Sequence, residues 1–336
     1  MRDPLPVATR VAAGRRCPSC RGADHPRGGR HRRCGNGGTE PPGWEWGAGP
    51  SGSTDRGDAI DTATRAGRAG LAYHRTGAGE PLVLLHGMGE STVGWRPVQD
   101  VLSARFDVVA LDLPGFGRSP ALPPSVVPSA EALADAVRSA VDDLDLGEHH
   151  VAGYSRGARV ALELATRGGV RSVVAIAPDG LGTPAERFHQ ASALLHRRAT
   201  AIALAPVATP WTSTAAGRAL FFGADRSLPW RMSRADASRL LRDFASSPGY
   251  LSTLQASLVD VPQDLRRVTC PVLIVQGTAD PLVSMQSPRY LAVLPNASMR
   301  WLPGFSHVPI SDAPELVAGV MADFLRRAGE PATIRR

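Results

Sequence analysis

From residue 71 onward the chain alternates between short apolar runs and longer stretches whose apolar positions recur every three or four residues. Runs at 71–76 and 81–86 read as strands joined by a glycine-containing turn, and 107–111 reads as the next. Residues 129–146 read as a helix: Ser129 and Glu131 open it, Leu133, Val137, Val141 and Leu144 recur at helical spacing, and Gly147 ends it. A β-prone run ending near Val151-Ala152 follows, then a helical pattern at 158–165 and a strand at 173–178. Strands at 271–276 and 299–302 and a helix at 314–327 close the chain. This alternation predicts an α/β fold, a mostly parallel central sheet with helices on both faces. Between residues 181 and 262 no strand is predicted, and helical stretches at 184–205, 215–222 and 233–244 are broken by prolines and glycines. The aromatics of that segment, Phe188, Trp211, Phe221, Phe222, Trp230, Phe244 and Tyr250, are expected mostly in the core, with a few facing a pocket.

Residues 1–68 break the pattern. They are rich in Gly, Pro, Arg and Ser and poor in branched apolar residues, so they cannot bury enough surface to offset chain entropy. A disordered N-terminal tail is expected there. A zinc site built from Cys17, Cys20, His25, His31 and Cys34 is a sharper alternative, but a second compact knuckle and strand-forming residues are lacking. A native start downstream of the segment is a third.

All 38 basic residues are arginine, which with abundant Ala and Gly fits the codon bias of a GC-rich genome. The net charge is +7, of which residues 1–70 carry +5 and residues 71–336 only +2. The body is nearly neutral, so the basic balance does not imply nucleic-acid binding, and none is expected. No run approaches the ~18 consecutive apolar residues of a membrane span. The N-terminus lacks the apolar stretch of a signal peptide, so a cytoplasmic protein is expected. Cys270 precedes a buried strand and is expected to be inert.

The candidate chemistry centres on Gly153-Tyr154-Ser155-Arg156-Gly157, which lies between the strand ending near Ala152 and the helix from Ala158. A serine at the apex of such a turn is held in a strained backbone with its hydroxyl exposed, and the flanking glycines fit where a Cβ would not. A serine hydroxyl is protonated at neutral pH, so it needs a base, and the base needs an acid to orient it. His307 follows the last strand in Gly304-Phe305-Ser306-His307. Asp280 follows the preceding one in Gly277-Thr278-Ala279-Asp280. All three lie at C-terminal strand ends, where open parallel sheets place their ligands. Asp179, after the strand at 173–178, is the second candidate for the acid. His86 and Asp112 are expected to brace their loops, and His149 and His150 to be solvated or capping. The Arg156 side chain is expected either to meet a substrate carboxylate or to lie exposed.

These segments, together with His86-Gly87-Met88-Gly89 and Asp112-Leu113-Pro114-Gly115-Phe116-Gly117-Arg118-Ser119, resemble the α/β-hydrolase family in its serine-nucleophile branch. The resemblance runs from about residue 71 to 329 and rests on five motifs in the family's order. It implies Ser155 as nucleophile, His307 as general base and then acid, and Asp280 as its orienter. It also implies an oxyanion hole from the backbone N–H groups of Met88 and Arg156. The strand-free segment falls where the family inserts a helical cap after the sixth strand. The implied organisation is a hydrolase core at 69–180 and 263–330 with a cap at 181–262. The expected activity is cleavage of a carboxylic ester or related acyl substrate through an acyl-enzyme. The substrate is expected to be a small molecule with an apolar acyl or alcohol group, and neither cofactor nor metal is required. Carbon–carbon bond hydrolysis and perhydrolysis on the same triad are the rivals, Arg156 and Arg159 being the candidate carboxylate binders for the first. A non-catalytic ligand-binding protein of this fold is the rival from another class.

Overall fold

The computed structural model describes residues 64–66, 68 and 70–329. The zinc site and the bulk of the tail therefore lie outside the described residues. The strands are β1 (Thr64–Ala66), β2 (Leu71–Thr76), β3 (Glu80–Leu85), β4 (Phe106–Leu111), β5 (His149–Tyr154), β6 (Val170–Ile176), β7 (Val272–Gly277) and β8 (Ala297–Leu302). They form one eight-stranded sheet in the order β1-β2-β4-β3-β5-β6-β7-β8. β1 and β2 pair antiparallel, as do β2 and β4, and every other pairing is parallel. β1 corrects the expectation of disorder through residue 68: Thr64 lies opposite Tyr73. Composition measures side-chain burial, whereas an edge strand is held by backbone hydrogen bonds that any residue but proline supplies.

The alternation of side chains along each strand divides the core. Val83, Leu85, Val109, Val151, Val173 and Ile274 pack on one face with α2 (Ala130–Asp143) and α3 (Arg156–Ala165). Leu82, Leu84, Val108, Ala152, Val174 and Val275 pack on the other with α1 (Arg96–Ser103) and α10 (Pro314–Gly329). A strand buried on both faces reads as a continuous apolar run, which is why β3 to β7 stand out in the sequence. His149 and His150 correct the expectation of solvation. Both are buried on β5, His150 Nδ1 lying 2.8 Å from Ser172 Oγ on β6.

Between β6 and β7 the chain inserts helices only: α4 (Pro184–Leu204), α5 (Ala208–Ser213), α6 (Ala215–Phe222), α7 (Arg234–Ser246) and α8 (Tyr250–Val259). Thr183 and Glu186 close a capping box at the start of α4, with Thr183 N–H donating to Glu186 Oε2 at 2.7 Å. α5 and α8 carry no such start signal, and the pattern of the sequence predicts neither. Phe221, Phe222, Phe244 and Tyr250 are core, but Phe188 is 72% exposed, against expectation. A four-residue α9 (Tyr290–Val293) precedes β8. Among the described residues no helix is long and apolar enough to cross a membrane.

Candidate active site

Ser155 joins β5 to α3 with φ 53° and ψ −123°, a left-handed backbone that a non-glycine residue rarely adopts. Its N–H donates to the Ile176 carbonyl at 2.8 Å, which ties the turn to the end of β6. A Cβ on Gly153 would sit 2.3 Å from the Gly157 carbonyl oxygen, and one on Gly157 2.2 Å from that of Leu85. Both glycines are therefore steric requirements of this turn and of its approach to β3.

The loops after β7 and β8 are sewn together. Thr278 N–H donates to the Leu302 carbonyl at 3.1 Å, and Ala279 N–H to that of Phe305 at 2.9 Å. This brings His307 Nδ1 to 2.9 Å from Asp280 Oδ2. Asp280 is only 4% exposed and also accepts from Gln276 Nε2 at 2.8 Å and the N–H groups of Leu282 and Val283 at 2.7 and 3.1 Å. Burial opposes its ionisation, but the His307 charge and these hydrogen bonds outweigh it and hold the carboxyl at about 2. For His307, burial opposes protonation while the Asp280 charge and hydrogen bond favour it, and its proton affinity ends above the ordinary value. An ionised carboxylate on Nδ1 fixes the proton there and leaves Nε2 as the basic atom. Among the described residues the Ser155 hydroxyl has no hydrogen-bond partner, so the bond from it to His307 is not formed in this structure.

Asp179 does not take this place. Its carboxylate lies 3.1 Å from Arg156 Nη2, while Arg156 Nη1 meets Asp260 Oδ2 at 2.9 Å. The Arg156 guanidinium is 1% exposed, which corrects both expectations for it: the side chain is neither solvated nor offered to a substrate. Arg159 is likewise engaged, with Glu163 at 2.7 Å. The backbone N–H groups of Met88 and Arg156 donate to no other described residue. The loop carrying Met88 is braced by His86, whose Nδ1 lies 2.8 Å from the Gly87 carbonyl while Nε2 accepts from Leu113 N–H at 2.9 Å. Asp112 shapes its own turn by accepting from the Thr92 and Arg118 N–H groups at 2.7 and 2.9 Å.

A buried charge network went unread in the sequence. Arg226 donates to Glu90 at 2.8 Å, to Asp225 at 2.8 Å and to Ser311 at 3.1 Å. Glu90 also accepts from the Tyr154 hydroxyl at 2.6 Å, and the Asp225 carbonyl accepts from Val308 N–H at 2.8 Å. The network thus joins the Met88 loop, the residue before Ser155 and the residue after His307. Charged residues in loops carry no periodicity, so only their contacts reveal them. A cavity of about 560 Å³ is lined by Ala224, Arg226, Ser227 and Trp230 and by Ala279 and Ser306, the residues that precede Asp280 and His307 in the chain. Among the described residues no group of three His, Cys, Asp or Glu side chains is placed to hold a metal.

The profile of the Alpha/beta hydrolase family matches residues 82–320. The chain belongs to that family. It is 30% identical over 273 residues to a putative carbamate hydrolase, RutD, of Caulobacter sp. (strain K31), covering 77% of this chain and 97% of the relative. It is 28% identical over 274 residues to a 2-(acetamidomethylene)succinate hydrolase of Mesorhizobium japonicum, covering 77% of this chain and 92% of the relative. Its structure superposes on a thermophilic esterase from Thermogutta terrifontis with a TM-score of 0.60 and 21% identity, over 80% of this chain and 98% of that one. At that identity the superposition speaks for the fold alone. The family and the hydrolases among the relatives support a hydrolase in general.

Proposed function

We propose that the protein is a serine hydrolase that cleaves a carboxylic ester or related acyl substrate through an acyl-enzyme. The observation that carries this reading is the His307–Asp280 hydrogen bond at the same sheet edge as a serine with positive φ. In the reaction His307 Nε2 accepts the Ser155 hydroxyl proton as Oγ attacks the carbonyl carbon. The developing oxyanion accepts hydrogen bonds from the Met88 and Arg156 N–H groups, each worth ~3 kcal/mol in systems of this kind. The tetrahedral intermediate collapses, and the leaving group departs with the proton held on Nε2. Water then attacks the acyl carbon and gives a proton to Nε2, which returns it to Ser155 as the acid leaves. Asp280 keeps the imidazole in the required tautomer and offsets its transient charge. The helical segment at 181–262 acts as the cap that selects the substrate. The names of the Caulobacter and Mesorhizobium relatives extend the range of acyl bonds to test to carbamates and amides. Arg156 and Arg159 each pair with carboxylates of the chain itself, which weighs against their serving the carbon–carbon hydrolase reading.

Labelling with a fluorophosphonate probe tests the proposal. Wild-type protein labels, S155A and H307A do not, D280A loses labelling with them, and D179A retains it. A well-folded wild type that neither labels nor turns over esters would favour the ligand-binding rival instead.

A further inference from the structure

Arg197, on α4, pairs with Asp225 through Nη1. Its Nε and Nη2 are sealed from solvent and have no hydrogen-bond partner among the described residues. These two atoms share one edge of the guanidinium plane, the fork that can meet both oxygens of a carboxylate at once. Buried donors are nearly always satisfied, so a whole unspent edge calls for an acceptor from outside the described residues. Arg226 uses all three nitrogens. Arg156 Nε and Nη2 also lack a hydrogen-bond partner, but a carboxylate, that of Asp179, lies 3.1 Å from Nη2, and no ion pair faces the corresponding edge of Arg197 among the described residues.

Two further features suit the edge to this task. The guanidinium carbon lies 4.2 Å from the centroid of the Phe244 ring, 5.2 Å from that of Phe221 and 5.5 Å from that of Phe222. These rings hold the plane and exclude water, which strengthens any ion pair made there. The buried aromatic cluster thus packs around a cation. Arg197 is also tied through Asp225 to the loop that carries His307. Arg197 is near enough to His307 for its charge to act against protonation of the imidazole, and the backbone of its partner Asp225 holds Val308.

We propose that the Nε–Nη2 edge of Arg197 binds a carboxylate carried by the substrate, so that the protein prefers acyl compounds with a free carboxylate near the scissile bond. The inference deepens the serine hydrolase reading and rests on it for the position of that bond.

The test uses S155A, which cannot form an acyl-enzyme, and two probes of like size. Monomethyl glutarate carries one ester and one carboxylate; dimethyl glutarate is neutral. By calorimetry the monoester binds at least about tenfold more tightly, and adding R197M removes about a tenfold preference. R197K restores only part of it, because an ammonium keeps a charge for Asp225 but lacks the fork. If R197M does not fold, R197K alone carries the comparison. Equal binding of the two probes, a preference that survives both substitutions, an equal weakening of both probes, or no binding of either at millimolar concentration overturns the proposal. The fluorophosphonate result separates the two readings. A carboxylate preference without labelling sinks the serine hydrolase and leaves the subsite; labelling without a preference sinks the subsite alone.

Discussion

Replacing Arg226 with methionine removes the cation that joins the Met88 loop, Tyr154 and the His307 loop while keeping a long side chain in place. Arg226 is 1% exposed and Glu90 2%, so neither charge can turn to solvent when its partner is lost. Breaking a buried ion pair from one side costs about 3–5 kcal/mol. Asp225 retains Arg197, so only Glu90 is orphaned outright, keeping the Tyr154 hydroxyl as its remaining partner. The expected loss is therefore ~4 kcal/mol rather than twice that. For a domain of this size it corresponds to a fall in Tm of roughly 8–16 °C. The assay is urea or thermal unfolding of wild type, R226M, E90Q and the double variant. Because the cost lies in the unpaired carboxylate, R226M/E90Q should regain about 2 kcal/mol relative to the sum of the single losses. An R226M protein within about 1 kcal/mol of wild type, or additive single losses, would refute the argument that the network is dry and coupled.

Two further outcomes follow from the site. In the proposed reaction His307 must be neutral to accept the Ser155 proton, and its proton affinity is raised above the ordinary 6.5. The acidic limb of kcat/KM therefore lies above pH 6.5 and moves down in D280N; a limb at or below 6.5 in wild type would contradict the environment assigned to the imidazole. Gly157→Ala places a methyl group 2.2 Å from the Leu85 carbonyl, so the elbow or the end of β3 must shift. A destabilisation of about 1–3 kcal/mol with loss of fluorophosphonate labelling is expected, and wild-type values for both would show that the turn tolerates a Cβ.

Much of this was legible because the signals are local. Strands buried on both faces announce themselves as apolar runs, and Ser129, Thr183 and Ser233 each cap the helix they precede. The elbow glycines mark a turn with no room for side chains whatever surrounds it. Which of Asp280 and Asp179 would meet the histidine was not legible, since both follow buried strands. It is decided by which neighbour each carboxylate finds: the sewn loops after β7 and β8 give Asp280 the imidazole, and α3 gives Asp179 the Arg156 guanidinium.

The sequence by itself determined the order of the strands from β2 to β8, the helices α2, α3 and α10 between and after them, the strand-free segment and the position of each candidate in a loop at a strand end. These depend on period, propensity and turn chemistry within a few residues of one another. The tertiary structure alone decided which charges are buried and with whom they pair. Arg197, Asp225 and Arg226 reach Glu90 and His307 across long stretches of chain, through contacts that exist only once the helical segment lies against the sheet edge. A charge in a loop looks the same in sequence whether water or a carboxylate will surround it, and that difference governs whether its free N–H groups can serve a substrate.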